Sequence, residues 1–362
     1  MTKPVLFSTT PADLAREGLT ETVQPWEDGL RVETGRGFFE WWYFDAHLDN
    51  GTTVVIVFAT KPLLDRDGPL RPVVLVTLNC AERGKITHSA FSPVSEFHAT
   101  REHCHVRIGR NYIEGDLHTY RVHVELPAEA DTFSSGITFD LTFRSETPPW
   151  RPGAGKAYFG NHTRFFGWLA AIPYGSVEGT ICCDGESRPV SGAGYHDHNW
   201  GNVHLYQVMD YWYWGRARLG DYTLIYVQQV TAQAYGFARI PVFLLAHGQQ
   251  ILTGDGSRLR FLAADFIPHP GGRAWPREVD FDWENGAESI HLSLRRPQLL
   301  EAFSLLASFP PWKRTLLRLF SNPYYFRFQA ELVLSLHWGG RHVTERGTGL
   351  YELMILQGKK HP

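Results

Sequence analysis

A chain of 362 residues, 43% hydrophobic and 20% charged, has enough apolar material for two domains or one large barrel. A formal net charge of -3 without a long basic run removes the electrostatic case for nucleic acid. The start MTKPVLFSTT is no leader, no apolar run reaches membrane-span length, and Cys80, Cys104, Cys182 and Cys183 lack Cys-x-x-Cys spacing, so the expectation is a cytoplasmic protein with reduced core thiols.

Along the chain, Asp13 to Gly18 reads as a short helix, and most of the remaining sequence reads as short strands. Strands are expected at Thr52 to Ala59, Val73 to Asn79, His118 to Leu126, Gly136 to Phe143 and Gly220 to Val230. Turn signals stand at Asp49-Asn50-Gly51, Asp67-Gly68, Asp184-Gly185 and Asn285-Gly286. Thr147 to Gly155, rich in Pro and Gly, reads as a crossover or linker, and Gly167 to Ile181 returns to strand-like sequence. Leu299 to Phe320 is the one longer helical candidate, broken by Pro310-Pro311. It reads as a cap on a barrel or as an interfacial element giving peripheral membrane contact. Regular strands with few helices indicate an all-β sandwich or barrel.

The two halves echo each other weakly. Phe38 to Asp45 (FFEWWYFD) opens strands in the first, and Asp210 to Arg216 (DYWYWGR) opens them in the second. Two similar barrels are expected, over residues 1–190 and 191–362.

Aromatic residues make up 14% of the chain, with 12 Trp, and they cluster with titratable groups. The densest cluster is Gly192 to Gly201, GAGYHDHNWG. In an extended segment His196, His198 and Trp200 share one face, while Tyr195, Asp197 and Asn199 share the other. Imidazoles beside an indole suit proton transfer to an apolar substrate, although such groups also satisfy one another in hydrogen-bonded corners. Read as a strand, Tyr206 to Arg216 places Asp210, Trp212 and Trp214 on one face. Rings beside a carboxyl can stabilise a cation formed by protonating an alkene, and burial makes the carboxyl a better acid. Such a cavity could also act by folding a polyene into a reactive shape.

Other chemistries fit less well. His103 and His105 flank Cys104 at strand spacing, and His196 with His198 repeats that spacing, but neither has a third ligand nearby, so no metal is expected. No dinucleotide fingerprint, P-loop or Gly-x-Ser-x-Gly elbow is present, and no cofactor is expected.

With these segments in hand, the chain resembles the carotenoid 1,2-hydratase superfamily of lipocalin-like proteins, which includes the fungal Diels–Alderases that form decalin rings. The resemblance rests on Glu40-Trp41-Trp42-Tyr43, Ile172-Pro173-Tyr174 with Gly179-Thr180, Gly194 to Gly201, Trp212 to Arg216, and Gly347 to Glu352. It implies two lipocalin-like β-barrel domains, a pocket between them or in a barrel mouth, and no metal or redox cofactor. It also implies roles in catalysis for His198 and Trp200. The Tyr-x-Asp pair of the hydratases corresponds here to Tyr226-Val227-Gln228, and a carboxamide cannot protonate an alkene.

The reading is therefore an enzyme: a cofactor-independent cyclase or isomerase of a hydrophobic polyene or isoprenoid natural product. Its candidate catalytic groups are His196, Asp197, His198, Trp200, Asp210 and Glu40. Trp41, Tyr43, Tyr195, Trp212, Trp214, Tyr226 and Gln228 are the candidate substrate contacts. Asp210 or Glu40 is expected to supply the proton that Gln228 cannot, and His198→Ala is expected to abolish turnover without unfolding the protein. The alternatives are a hydratase and a non-catalytic lipocalin-like carrier. A structural module with an ordinary aromatic core is the third.

Overall fold

The computed structural model describes residues 2–62, 65–81, 84–128, 136–183, 185–306 and 322–358. It is built almost wholly of antiparallel strands curled into lipocalin-like half-barrel sheets, with a few short helices. One sheet path runs from Gly84–Phe91 at one edge to Phe97–Ala99 at the other, and the second runs from Gln250–Thr253 to Leu259–His269.

The expected strands form with small shifts at their ends. Thr53–Ala59, Val73–Cys80, Thr119–Leu126, Ile137–Ser145 and Tyr222–Thr231 are all present. In Ile137–Ser145 the burial alternates residue by residue, as the pleat of a half-buried strand requires. The short helix forms at Pro11–Glu17, with Thr10 and Asp13 in a reciprocal capping box and Gly18 left-handed at φ 67°. Three expectations need correction. Leu205–Val208 is a single helical turn, so the aromatic strand starts at Met209 and not at Tyr206. Leu299 to Ser304 continues the strand Glu288–Ser304 and is not helical; residues 307–320 of that candidate lie outside the described ones. Of the cysteines only Cys104 is fully buried, the other three being half-buried free thiols.

Each sheet wraps its own core, and the chain divides into two compact units. One comprises Ser8–Ala157 and Arg164–Val203; the other comprises Met1–Phe7, Tyr158–Thr163 and His204–Pro362. The change of unit at Val203/His204 falls later than the expected position near 190. The strand Glu186–Gly201 runs through that position, bonded to Phe39–Leu48 on one side and to Phe165–Cys183 on the other. A sheet cannot part in the middle of a strand paired on both edges.

Within the Ser8–Val203 unit, three neighbouring strands position the groups of interest: Phe39–Leu48, Glu186–Gly201 and Phe165–Cys183. Their register sets Trp42, His198 and Leu169 in one row, and Phe44, His196 and Ile172 in the next, all facing the core. The opposite face carries Trp41, Asn199 and Trp168, then Tyr43, Asp197 and Ala170.

Candidate active site

The two faces of the strand Glu186–Gly201 hold two different polar networks. On the core side, Asp28 is delivered by the short helical turn Pro25–Asp28, whose first position is a proline. Asp28 Oδ2 accepts the Tyr120 hydroxyl at 2.6 Å and lies 3.0 Å from His196 Nε2. The other ring nitrogen of His196 faces the Tyr43 carbonyl at 2.9 Å, so it donates there. His198 Nε2 lies 2.7 Å from Glu40 Oε1. Its Nδ1 is 3.2 Å from Asp28 Oδ1, off the angle for a hydrogen bond. Glu40 also takes the backbone N–H groups of Arg31 and Val32, at 2.7 and 3.1 Å.

Aromatic rings close over both imidazoles. Phe44 stacks on His196 with centroids 3.8 Å apart, and Trp42 stacks on His198 at 4.7 Å. Trp200 tilts against His198 at 4.9 Å. Burial alone would raise the Asp28 carboxyl, but the His196 and His198 imidazoles hold it well below the usual carboxylate range. Burial likewise works against a charged His198, and the carboxylates of Asp28 and Glu40 reverse that and raise its pKa. The network is thus an ionised cluster in which the Asp28 carboxylate is held by two imidazoles and a phenol, with rings closed over it.

Asp28, His196 and His198 are wholly buried and Glu40 is nearly so. The expected face of His196, His198 and Trp200 exists, but it looks into packed core. Asp28, Cys104 and His196 present possible metal ligand atoms within 4.8 Å of one another. They make a poor metal site, since Asp28 and His196 already bond each other and burial pushes the Cys104 thiol up, keeping it protonated. His103 and His105 flank Cys104 but are only half-buried and pack on each other at 6.0 Å.

The outward face is different. Asp197 Oδ2 accepts Trp168 Nε1–H at 3.0 Å and the Tyr195 hydroxyl at 2.9 Å, and Oδ1 accepts the Asn199 amide at 2.7 Å. Desolvation outweighs these three donors and raises the Asp197 carboxyl to about 6. Trp150, from the Thr147 to Gly155 crossover, stands edge-on to Trp168 at 5.8 Å. Trp41 and Tyr43 are half-buried beside it, with Trp41 packed on Phe39 and Phe166. Asp197 and Asn199 each keep 7% of their surface exposed and Trp168 keeps 9%, whereas His196 and His198 keep none. This face therefore sets a carboxyl near neutrality among aromatic rings.

The remaining candidates fall in the other unit. In the strand Met209–Leu219, Tyr211 and Tyr213 point into the core, so Trp212 and Trp214 are on the outward face and do not line a barrel interior. Asp210 sits at an irregularity in that strand, buried, with its backbone carbonyl accepting the N–H groups of Leu356 and Gln357. Burial lowers the Arg273 guanidinium, and Asp210 nearby works against that shift. Tyr226 is a core residue whose hydroxyl donates to the Leu350 carbonyl at 3.2 Å. Gln228 is buried and donates to the Gln229 carbonyl at 2.8 Å. Asp28 and Trp168 escaped the sequence reading. Nothing in the run Pro25–Asp28 distinguishes a core carboxylate from a surface one, and Trp168 lies in an apolar strand that reads as core.

The Diels-Alderase-like family model matches residues 33–267. Among curated proteins, a "Quinolone epoxide rearrangement protein" of Penicillium thymicola, penF, is 29% identical over 34% of this chain and 34% of its own length. A protein of the same description from Emericella nidulans, asqO, is 27% identical over 52% of this chain and 53% of its own length. The chain thus matches between a third and about half of the length of these relatives. Among solved structures, CghA with Sch210972 superposes with a TM-score of 0.60 at 16% identity, covering 94% of this chain and 97% of that one.

Proposed function

Because this chain belongs to the Diels-Alderase-like family, we propose that it is a cofactor-independent cyclase or isomerase of a hydrophobic natural product, with Asp197 as its proton donor. One observation carries the choice of acid: burial raises the Asp197 carboxyl to about 6 among aromatic neighbours. Glu40 is set aside because it lies deeper in the closed core, 1% exposed, with the His198 imidazole on one of its oxygens. The relatives described as quinolone epoxide rearrangement proteins suggest the bond to be broken. A protonated Asp197 gives its proton to an epoxide oxygen, the C–O bond opens with its electron pair on that oxygen, and the carbon skeleton or a neighbouring π bond fills the electron-deficient carbon. A proton lost from the rearranged product restores the acid. Trp41 and Tyr43 supply ring faces for the cationic stage.

The test is turnover of a quinolone epoxide by the wild type and by Asp197→Asn. The expected result is a loss of ~10²–10⁴-fold in kcat, the range for removing a general acid, with no loss of thermal stability. The wild-type rate should also fall as pH rises past about 6, and the variant should show no such limb. Unchanged turnover in Asp197→Asn would overturn the acid role and leave conformational templating, the Diels–Alderase-like route, as the mechanism.

A further inference from the structure

The closing segment Gly347 to Glu352 ends on a carboxyl that this chemistry does not use. Glu352 lies on the strand Arg341–Ile355, paired with Trp214 on one side and Arg327 on the other. Trp212 donates Nε1–H to its Oε1 at 3.3 Å, and Tyr325 donates its hydroxyl to its Oε2 at 2.8 Å. An indole and a phenol also hold Asp197 in the other unit. The face around Glu352 is aromatic and partly open. Trp212, Trp214 and Tyr325 are half-buried, and Phe303, 39% exposed, packs on Tyr325 at 5.1 Å. Although part of Glu352 remains exposed, the groups packed about the carboxyl desolvate it and raise its pKa against the pull of its two ring donors and of the Arg327 charge on the facing strand.

Each oxygen of Glu352 has already given one lone pair to a ring donor. In the protonated acid, what remains is one O–H and one lone pair side by side in the carboxyl plane. A cis amide is their complement: its carbonyl accepts the O–H, and its N–H donates to the other oxygen. The aromatic neighbours Trp212, Trp214 and Tyr325 favour a flat partner. We propose that Glu352, Trp212 and Tyr325 form a recognition site for a neutral, flat fused-ring lactam. The proposal rests on the preceding reading for the class of substrate and goes beyond it in placing a separate site in the other unit.

The probe is carbostyril, the unsubstituted fused-ring lactam, titrated calorimetrically into the full chain. Binding should weaken as pH rises and Glu352 ionises. Glu352→Leu should lower affinity by about 10-fold, the worth of one or two net hydrogen bonds. N-methylcarbostyril, which cannot donate, should bind the wild type more weakly but bind Glu352→Leu as carbostyril does. Glu352→Gln keeps a donor and an acceptor without titrating, so its affinity should be independent of pH; it serves if the leucine variant misfolds. The proposal is overturned by absence of binding to the wild type, by wild-type affinity in Glu352→Leu, or by a pH dependence that survives in Glu352→Gln. It is also overturned if Asp197→Asn loses binding while Glu352→Leu keeps it. Epoxide turnover by Asp197→Asn tests the acid separately, so either reading can fail alone.

Discussion

Among single residues, His198 shows how burial changes the meaning of a motif. From its neighbours in sequence it reads as an accessible proton donor whose loss would leave the fold intact. In the structure it lies between two carboxylates that raise its pKa, sealed from solvent. His198→Ala should therefore cost ~3–5 kcal/mol, because it takes the imidazole from Glu40 Oε1 in a closed core, while Asp28 keeps His196 and Tyr120. Urea unfolding would measure it, and a loss under ~1 kcal/mol would refute the ionised cluster. Asp197 makes the opposite kind of prediction. Its folded pKa is raised, so the stability it contributes is present below about pH 4 and is lost as pH rises through about 6. The shift is worth about 3 kcal/mol. In Asp197→Asn the amide oxygen can still serve Trp168 and Tyr195, and a flipped Asn199 can accept from the new amide. Unfolding curves at several pH values should show a wild-type decline between pH 4 and 6 that the variant lacks. Two other groups set the wider window. Asp28, held low, loses its contribution only as pH falls through its depressed pKa, and His198, held high, loses its own as pH rises through its raised one.

For strands, the sequence was legible wherever a face alternates and a turn closes it, and illegible where register decides. The alternation of Gly194 to Gly201 correctly divides His196, His198 and Trp200 from Tyr195, Asp197 and Asn199. It does not say which side is closed, because that depends on Asp28 and Tyr120 arriving from distant segments. Register also decides a set of glycine–aromatic pairs. Gly167 stands opposite Trp200, Gly115 opposite Tyr120 and Gly215 opposite Tyr226. In each, a Cβ on the glycine would come within 2.1–2.3 Å of the facing ring. The ring lies across the bare backbone of its neighbour and shields it. Gly167→Ala should force Trp200 off its place beside His198 and cost ~1–3 kcal/mol, the usual penalty of overpacking. Near-ultraviolet circular dichroism and thermal denaturation would follow the shift; a variant with unchanged spectrum and stability would mean that the contact is loose.

At the scale of the molecule, the echo of aromatic opening strands suggested two halves, and the chain divides into two compact units, but their border was not legible. Composition does not change at Val203/His204, and the units are not contiguous in sequence, since Met1–Phe7 and Tyr158–Thr163 group with the C-terminal half. The division makes a prediction about fragments. A piece ending at residue 190 keeps Phe39–Leu48 and Phe165–Cys183 but loses Ser191 to Gly201, the stretch that joins them over most of its length. Two strands with exposed ladder groups then face each other across a gap, and Asp28 and Glu40 lose both imidazoles. A piece spanning residues 8–203 keeps the whole sheet path and its core cluster. The expected result is a cooperative denaturant transition for 8–203 and none for 1–190, which should aggregate. If 1–190 unfolded cooperatively and 8–203 did not, the strand Glu186–Gly201 would not be the element that closes this unit.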